Sequence, residues 1–151
     1  MKNKVILLIV ALAMSMATFA QKEYTYQQKQ LRDRIFSYIK GEGYRPEIDD
    51  DGDIMFKKEG DTYFVIVSAD NSAPMYLSLT KIFTYSGSFT KNKIKQCMQE
   101  INLYKMCKLV PLDESFEIRV EMFLNDAGSF TSIFEKALSV MNQAEEELKD
   151  M

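Results

Sequence analysis

The chain has 151 residues with 19 basic and 22 acidic side chains, a formal net charge of −3, and it contains neither histidine nor tryptophan. The lack of histidine excludes zinc–histidine sites, Ser-His-Asp triads and Cys-His pairs built from this chain alone. The acidic balance excludes a broadly basic nucleic-acid binder, since polyphosphate binding needs a cationic surface.

The first twenty residues have the pattern of a secretory signal peptide. Lys2 and Lys4 precede an unbroken apolar run, Val5 to Met14, and small residues lead up to Ala20. Ten apolar residues are too few for a stably anchored membrane helix, so we expect cleavage after Ala20, with an uncleaved anchor as the alternative. Cleavage would leave 131 residues and lower the basic residues to 17 against 22 acidic ones, a net charge of −5.

The residue after the predicted cleavage site decides between a soluble and a lipid-anchored product. Gln21 stands where a bacterial lipoprotein would carry cysteine, so we expect a soluble protein in the periplasm or outside the cell. No later apolar stretch approaches membrane-spanning length, and we expect no membrane partner after cleavage. Residues 21–151 show no repeat, low-complexity tract or linker, which predicts a single domain.

The mature chain begins with a predicted helix over residues 25–40. Thr25 and Gln28 form a capping-box pattern, and apolar residues follow at helical spacing. Gly41 and Gly43 end the run.

A strand-rich stretch follows this helix. The predicted strands cover Tyr44–Ile48, Ile54–Phe56, Thr62–Val67 and Met75–Tyr85. Pro46 confines the first of them to a sheet edge or a lead-in. Thr62–Val67 is apolar on both alternating faces, which is typical of a central strand.

The second half of the chain predicts a helix, two strands and a last helix. Thr90 can cap the second helix, and the strands are Lys105–Val110 and Phe116–Phe123. Ser132 and Glu135 form a capping box for the last helix, whose acidic final turn opposes the helix dipole and is expected to fray. The order α-β-β-β-α-β-β-α predicts an α+β fold in which helices pack on an antiparallel sheet of about five strands.

Several short segments give the mature chain a family resemblance. They are Asp50–Phe56, Gly60–Val65, Leu79–Phe83, Glu100–Asn102 and Phe116–Glu121. With these the chain resembles the YbjN-like proteins, small bacterial proteins named as sensory transduction regulators, which share the type III secretion chaperone-like fold. The resemblance implies a non-enzymatic, often dimeric protein-binding domain without catalytic residues. The better-known members are cytosolic, so the signal peptide sets this chain apart from them.

The acidic run before the second predicted strand is a candidate calcium loop. Glu47, Asp49 and Asp51 place oxygen ligands at alternate positions with Gly52 at the bend, as an EF-hand-like loop requires. Lys58, however, falls where a bidentate carboxylate should close the site. The favoured interpretation is therefore a solvated hairpin turn over Asp49–Asp53, with no metal or other cofactor bound.

The two cysteines, Cys97 and Cys107, form a possible disulfide. Cys97 lies on the apolar stripe of the second helix and Cys107 in the following strand. An exported protein favours a bridge, and the geometry allows one if that strand doubles back along the helix. The other interpretation, favoured on the spacing of helix and sheet, is two free buried thiols that act as small hydrophobic residues.

Carboxylates and tyrosines are the remaining candidates. Glu117 and Glu121 share the wet face of one strand with Arg119 between them, which indicates a charge-balanced surface rather than a glycosidase-type acid pair. Most of the eight tyrosines are expected in the core or on a sheet face, which leaves room for an exposed Tyr/Met patch as a partner site.

These features predict an exported, non-enzymatic domain, chaperone-like or regulatory, that binds another protein or itself through a sheet or helix face. The alternative is a periplasmic small-molecule-binding domain with a pocket between helix and sheet. Hydrolysis by carboxylates alone is a third hypothesis, and it requires two acidic residues that converge in one cleft.

Overall fold

In a computed structural model, which describes residues 23–68, 74–101 and 106–150, three helices pack on one face of a six-stranded antiparallel sheet. The helices are α1 (Tyr26–Gly41), α2 (Lys91–Ile101) and α3 (Ala127–Asp150). The strands are β1 (Glu47–Ile48), β2 (Ile54–Lys58), β3 (Asp61–Val67), β4 (Met75–Thr84), β5 (Cys107–Pro111) and β6 (Ser115–Leu124). The predicted α+β class is confirmed, and the predicted signal peptide over residues 1–20 lies outside the described residues.

The strands stand in the order β1-β2-β3-β4-β6-β5, with every neighbouring pair antiparallel. The sheet has one strand more than the predicted five, because the lead-in at Pro46 forms a two-residue edge strand, Glu47–Ile48. β3 is flanked by strands on both sides, as its apolar composition predicts.

The predicted capping box starts α1. The Thr25 side chain accepts a hydrogen bond from the Gln28 amide, and the Gln28 side chain accepts one from the Thr25 amide. These two bonds satisfy amides that an uncapped helix start would leave without partners. Leu31, Ile35 and Ile39 then lie buried on the face of α1 that joins the core.

The β2–β3 connection is a two-residue hairpin turn. Glu59 and Gly60 both have positive φ, 55° and 96°, and Lys58 pairs with Asp61 across them. A turn with two consecutive positive φ angles matches the right-handed twist of the flanking strands. Glycine is favoured in such turns because it adopts positive φ without steric cost. The turn fixes the register that places Phe56 opposite Tyr63.

Alternation along the strands separates two faces of the sheet. The core face carries the side chains that pack on the helices: Ile54, Phe56, Tyr63, Val65, Leu77, Leu79, Cys107, Leu109, Phe116, Ile118 and Val120. Contacts from the helices reach this face: Phe134 of α3 lies 5.8 Å from Phe56 between ring centroids, and Asn142 accepts a hydrogen bond from Tyr63. We call the opposite side the open face, because the helix–sheet side-chain contacts just described leave it uncovered.

The last helix begins earlier than the capping box at Ser132 predicts. α3 starts at Ala127, and the Asp126 carboxylate accepts a hydrogen bond from the Ser129 amide at 3.0 Å. The predicted start is therefore wrong. The extra turn buries Ala127 and Phe130, and this burial outweighs the roughly 1 kcal/mol that a glycine at position 128 costs a helix.

The end of α3 is held in place rather than frayed. Glu145 lies 2.5 Å from the Lys81 ammonium and 2.7 Å from that of Lys149, measured from oxygen to nitrogen. Leu148 is fully buried one turn later. The expected fraying is therefore wrong, because a buried lysine of the sheet and an apolar anchor offset the unfavourable dipole interaction.

No helix among the described residues combines the length and the apolar character that crossing a membrane requires.

Candidate functional site

The open face is the side of the sheet that the described helices leave uncovered. Strand register assigns to it Phe64 and Ile66 of β3; Tyr76, Ser78, Thr80 and Ile82 of β4; Glu117, Arg119, Glu121 and Phe123 of β6; and Lys108 and Val110 of β5. Phe64, Thr80, Arg119 and Lys108 stand in one row across four strands. The small side chains of Ser78 and Thr80 are buried between larger neighbours, so the face is continuous.

Charged side chains form a band across the middle of the open face. Arg119 pairs with Glu117 and lies 3.9 Å from Glu121, and Lys108 pairs with Glu121. Burial opposes ionisation of Glu121, but hydrogen bonds from Lys108 and Tyr76 lower its pKa. The charge band, as we call these four residues, is thus a set of mutually neutralising ion pairs.

The charge band confirms the prediction of a balanced surface. Glu117 and Glu121 share one strand face with Arg119 between them, as the alternation predicts. Hydrogen bonds from Lys108 and Tyr76 keep the pKa of Glu121 below its usual value, so this carboxylate is ionised within the ion pairs.

Exposed apolar side chains lie at both ends of the charge band. At one end the Phe123 ring is 67% exposed and lies 5.4 Å from the Tyr76 ring. Met106, whose carbonyl accepts a hydrogen bond from the Glu121 amide, is 47% exposed. At the other end Ile82 is 45% and Leu112 is 40% exposed. We call these the aromatic end and the aliphatic end.

The Tyr76 phenol belongs to both the aromatic end and the charge band. Burial and a hydrogen bond to Glu121 raise the pKa of Tyr76 to about 12, so the group stays neutral at physiological pH. Tyr76 is half-buried, so the exposed Tyr/Met patch for which the sequence left room stays a prediction. Sequence reasoning did not single out Phe123, although it continues the wet-face alternation of residues 117, 119 and 121.

The acidic run forms the predicted hairpin turn. Asp49 accepts hydrogen bonds from the Asp51 and Asp53 amides at 3.1 and 2.8 Å, and Gly52 has a φ of 84°. The carboxylate of Asp53 is buried and accepts a hydrogen bond from the Tyr24 hydroxyl at 3.2 Å. Burial and the nearby Asp53 raise the pKa of Tyr24 far above its usual range. The Asp49 carboxylate thus stabilises the turn itself, and the Asp53 carboxylate joins the turn to Tyr24.

Calcium is expected to leave the stability of the protein unchanged. Among the described residues no group of three or more acidic or cysteine side chains is placed to hold a metal ion, and position 12 of the loop is Lys58. We therefore expect the melting temperature in about 1 mM CaCl₂ to equal that in EDTA, whereas occupancy of a millimolar site would raise it. A calcium-dependent rise that is lost in Asp49→Ala would contradict this expectation.

Both cysteines are free and buried in the structure. Cys97 lies on α2 and Cys107 opens β5, and these two elements pack on each other as the predicted reversal requires. Burial, with a smaller effect of Glu147, raises the pKa of the Cys107 thiol to about 11. The disulfide remains a prediction for an oxidising compartment, while the structure holds the two side chains as part of the apolar core.

The raised pKa of Cys107 predicts slow alkylation of the native protein. At pH 8 a thiol with a pKa of about 11 has a thiolate fraction roughly 100- to 200-fold below that of an ordinary cysteine. We expect iodoacetamide to label Cys107 at least about 100-fold more slowly in the native protein than in urea. Equal rates would contradict the burial. If the intact mass of the non-reduced protein is lower than that of the reduced protein by two hydrogen atoms, Cys97 and Cys107 are joined by a disulfide.

Recesses at the edges of the molecule bear on the small-molecule alternative. A recess of about 180 Å³ lies where α1 meets the start of α3, lined by residues including Leu31, Arg34 and Asp126. Another, of about 450 Å³, lies at the β1–β2 edge beside Tyr44 and Lys57. The first is below the volume usual for ligand pockets, and the second opens at the sheet edge rather than between helices and sheet. Met75 of β4 also lines the first recess, and a further recess of about 340 Å³ lies between Lys58 of β2 and Glu135 of α3. The small-molecule alternative therefore stays a prediction.

Comparison with known proteins identifies similar folds but no family. No protein-family model matches the chain, and no curated protein matches its sequence. A crystal structure of an uncharacterized protein from Methanothermobacter thermautotrophicus is similar, with 10% identity, a TM-score of 0.53, and coverage of 79% of this chain and 96% of that one. A chain of the HopA1–SchA chaperone–effector complex is similar with 12% identity, a TM-score of 0.52, and coverage of 82% and 93%. The chain therefore shares the α+β fold of these two structures.

Proposed function

We propose that the chain is a non-enzymatic protein-interaction domain, chaperone-like or regulatory, that uses the open face of its sheet to bind a protein. The observation that carries this proposal is the exposure of Phe123. A large aromatic ring on an interior strand, two-thirds exposed and next to Tyr76, adds nothing to the core of its own domain. Aromatic residues and methionine are enriched in protein interfaces relative to the rest of protein surfaces.

The charge band supports a protein rather than a nucleic acid as the partner. Its two cations are paired with two carboxylates of the same chain, so it offers no excess positive charge to phosphate groups. Apolar ends around a polar centre suit a protein surface, where apolar anchors supply most of the binding energy and polar groups set the orientation.

The fold likeness supports the same proposal. One structural neighbour is a chain of a complex between a chaperone and an effector, so this architecture serves protein binding in at least that case. The resemblance to YbjN-like proteins points the same way, and membership of that family is part of the proposal.

Export is also part of the proposal, and it is supported by the signal pattern of residues 1–20. The intact mass of the protein that accumulates in the cell tests it. We expect a chain that begins at Gln21, and a chain that retains Lys2 and Lys4 would contradict export by cleavage.

Affinity purification of matched variants from the native cell tests the interaction. Phe123→Glu places a charge at the aromatic end of the open face, and Tyr26→Glu places one on α1, where the ring is 74% exposed. We expect a partner that co-purifies with the unmodified protein to be lost from Phe123→Glu and retained by Tyr26→Glu. Circular dichroism spectra that match the unmodified protein confirm that both variants are folded. Identical partners for both variants would refute a role for the open face.

A further inference from the structure

We infer that the recess at the β1–β2 edge of the sheet binds a small monocarboxylate with an aromatic body. This site is separate from the residues that carry the proposed function, because β3 and β4 lie between β2 and the strand that bears Phe123. The inference rests on the size of the recess, its apolar wall, its unpaired cations and the backbone edge of β2.

The recess has the size of a small-molecule site. Its volume is about 450 Å³, and it lies between the chain that joins α1 to β1 and residues 55–57 of β2. Ligand sites in proteins commonly measure about 300–1,000 Å³, so the space suffices for an acid with a single ring.

Apolar side chains supply one wall of the recess. Tyr44 and Phe56 both line it, and their rings lie 5.4 Å apart between centroids. Phe56 is buried in the core, so its contact with the half-buried Tyr44 ring holds part of this wall in place before a ligand binds. Met55, also half-buried, lines the recess as well. Aromatic rings and a thioether make favourable contacts with the ring of a ligand.

Two cations give the recess a preference for anions. Arg45 and Lys57 line it and are exposed, and neither forms an ion pair within the part of the chain that the structure describes. A guanidinium group binds a carboxylate through two parallel hydrogen bonds. Glu47 also lines the recess and repels a second negative charge, which favours a monoanion over a dianion.

The edge of β2 adds a backbone donor to the recess. A two-residue turn pairs Lys58 with Asp61, and the direction of backbone hydrogen bonds alternates along a strand. Lys58 therefore directs its backbone groups to β3, and Lys57 directs its amide and carbonyl to the opposite edge. There β1 begins only at Glu47, and Pro46 before it has no amide that could extend the ladder. The Lys57 amide is thus a further donor for a bound carboxylate.

A titration of the isotope-labelled protein with phenylacetate, followed by amide chemical shifts, tests the inference. We expect saturable shifts, largest at Gly43 and Lys57, with a dissociation constant on the order of 0.1–1 mM for a ligand of this size. Phenylacetamide lacks the charge and acetate lacks the ring, so each should bind at least about 10-fold more weakly.

Matched variants locate the bound carboxylate. Arg45→Gln/Lys57→Gln removes both cations of the recess, and Lys29→Gln/Lys136→Gln removes two exposed lysines of α1 and α3. We expect the first double variant to raise the dissociation constant of phenylacetate at least about 10-fold and the second to leave it unchanged. If the first fails to fold, Arg45→Gln alone should raise the constant at least about 3-fold.

The outcomes are distinct from those of the proposed function. Absence of saturable shifts at millimolar phenylacetate, shifts centred on the open face, or equal binding by the two double variants would overturn the carboxylate site. Equal binding of phenylacetamide or of acetate would overturn it as well, because the site requires both a charge and a ring. None of these results bears on the protein partner of the open face, which the purification with Phe123→Glu tests separately.

Discussion

Lys81→Met should lower the free energy of unfolding by about 2–4 kcal/mol, because it removes a buried cation that joins the sheet to the end of α3. The Lys81 side chain is 5% exposed on the core face, and its ammonium lies 2.6 Å from Asp61 and 2.5 Å from Glu145. The Glu145 side chain is 14% exposed, so the substitution leaves a largely buried carboxylate with Lys149 as its remaining partner. Urea unfolding monitored by circular dichroism measures the effect.

Two further variants separate the buried pair from ordinary surface charge. Lys149→Ala removes a half-exposed lysine from the same carboxylate and should cost less than about 1 kcal/mol. The double variant Lys81→Met/Glu145→Leu replaces the pair by apolar side chains, and we expect it to recover at least half of the loss. If Lys149→Ala costs as much as Lys81→Met, the proposed importance of the buried contact is wrong.

The contribution of Lys81 to the free energy of unfolding also depends on pH in a defined way. Burial opposes its charge, but hydrogen bonds to Asp61 and Glu145 raise the pKa of Lys81 above its ordinary value. A group whose pKa is raised on folding contributes fully below its unfolded pKa, here about 10.4, and loses that contribution as the pH rises through the folded value. The difference between the unmodified protein and Lys81→Met should therefore be constant from about pH 6 to 9 and shrink above about 10.4.

Phe134→Ala should lower the free energy of unfolding by about 3–5 kcal/mol. Phe134 is fully buried on α3, and its ring lies within 6.2 Å of the rings of Tyr38, Tyr44, Phe56 and Phe130, between centroids. Truncation opens a cavity where α1, β2 and α3 meet, so both the transfer of the ring and the lost contacts contribute.

The control for Phe134 is an equally large ring on the other side of the sheet. Phe123→Ala removes a ring that is 67% exposed and should cost less than about 1 kcal/mol in the monomer. Phe134→Leu, with a smaller cavity, should fall between the two and gives a value if Phe134→Ala fails to fold. Chemical denaturation of the three variants measures the series, and equal losses at positions 123 and 134 would contradict the assignment of the two faces.

The local elements of the fold follow from local patterns in the sequence. The capping box at Thr25, the glycine turns at Gly52 and Gly60, and the alternation of β6 each depend on residues close together in the chain. These features can be predicted from the sequence because the hydrogen bonds and backbone angles that stabilise them involve residues only a few positions apart. The α+β class then follows from the order of these elements.

The features that the sequence analysis missed depend on residues far apart in the chain. From the sequence alone Lys81 would be assigned to a solvent-exposed strand position, because lysine is rarely buried without a charged partner. Its partner Glu145 lies 64 positions away in the chain, so no local pattern indicates the pair. The extra turn of α3 combines a local cap at Asp126 with the burial of Phe130, and that burial depends on the tertiary fold. The exposure of Phe123 depends on which face of the sheet the helices cover, and that is settled only by the tertiary fold.

Photo-crosslinking in living cells tests the central claim, that the open face is an interaction surface. A photoreactive phenylalanine analogue at position 123 samples the aromatic end, and the same analogue at position 26 samples the helix layer at similar exposure. We expect an adduct at twice the chain mass, or with a partner protein, from position 123 and none from position 26. No adduct at position 123, or the same adducts from both positions, would contradict the account.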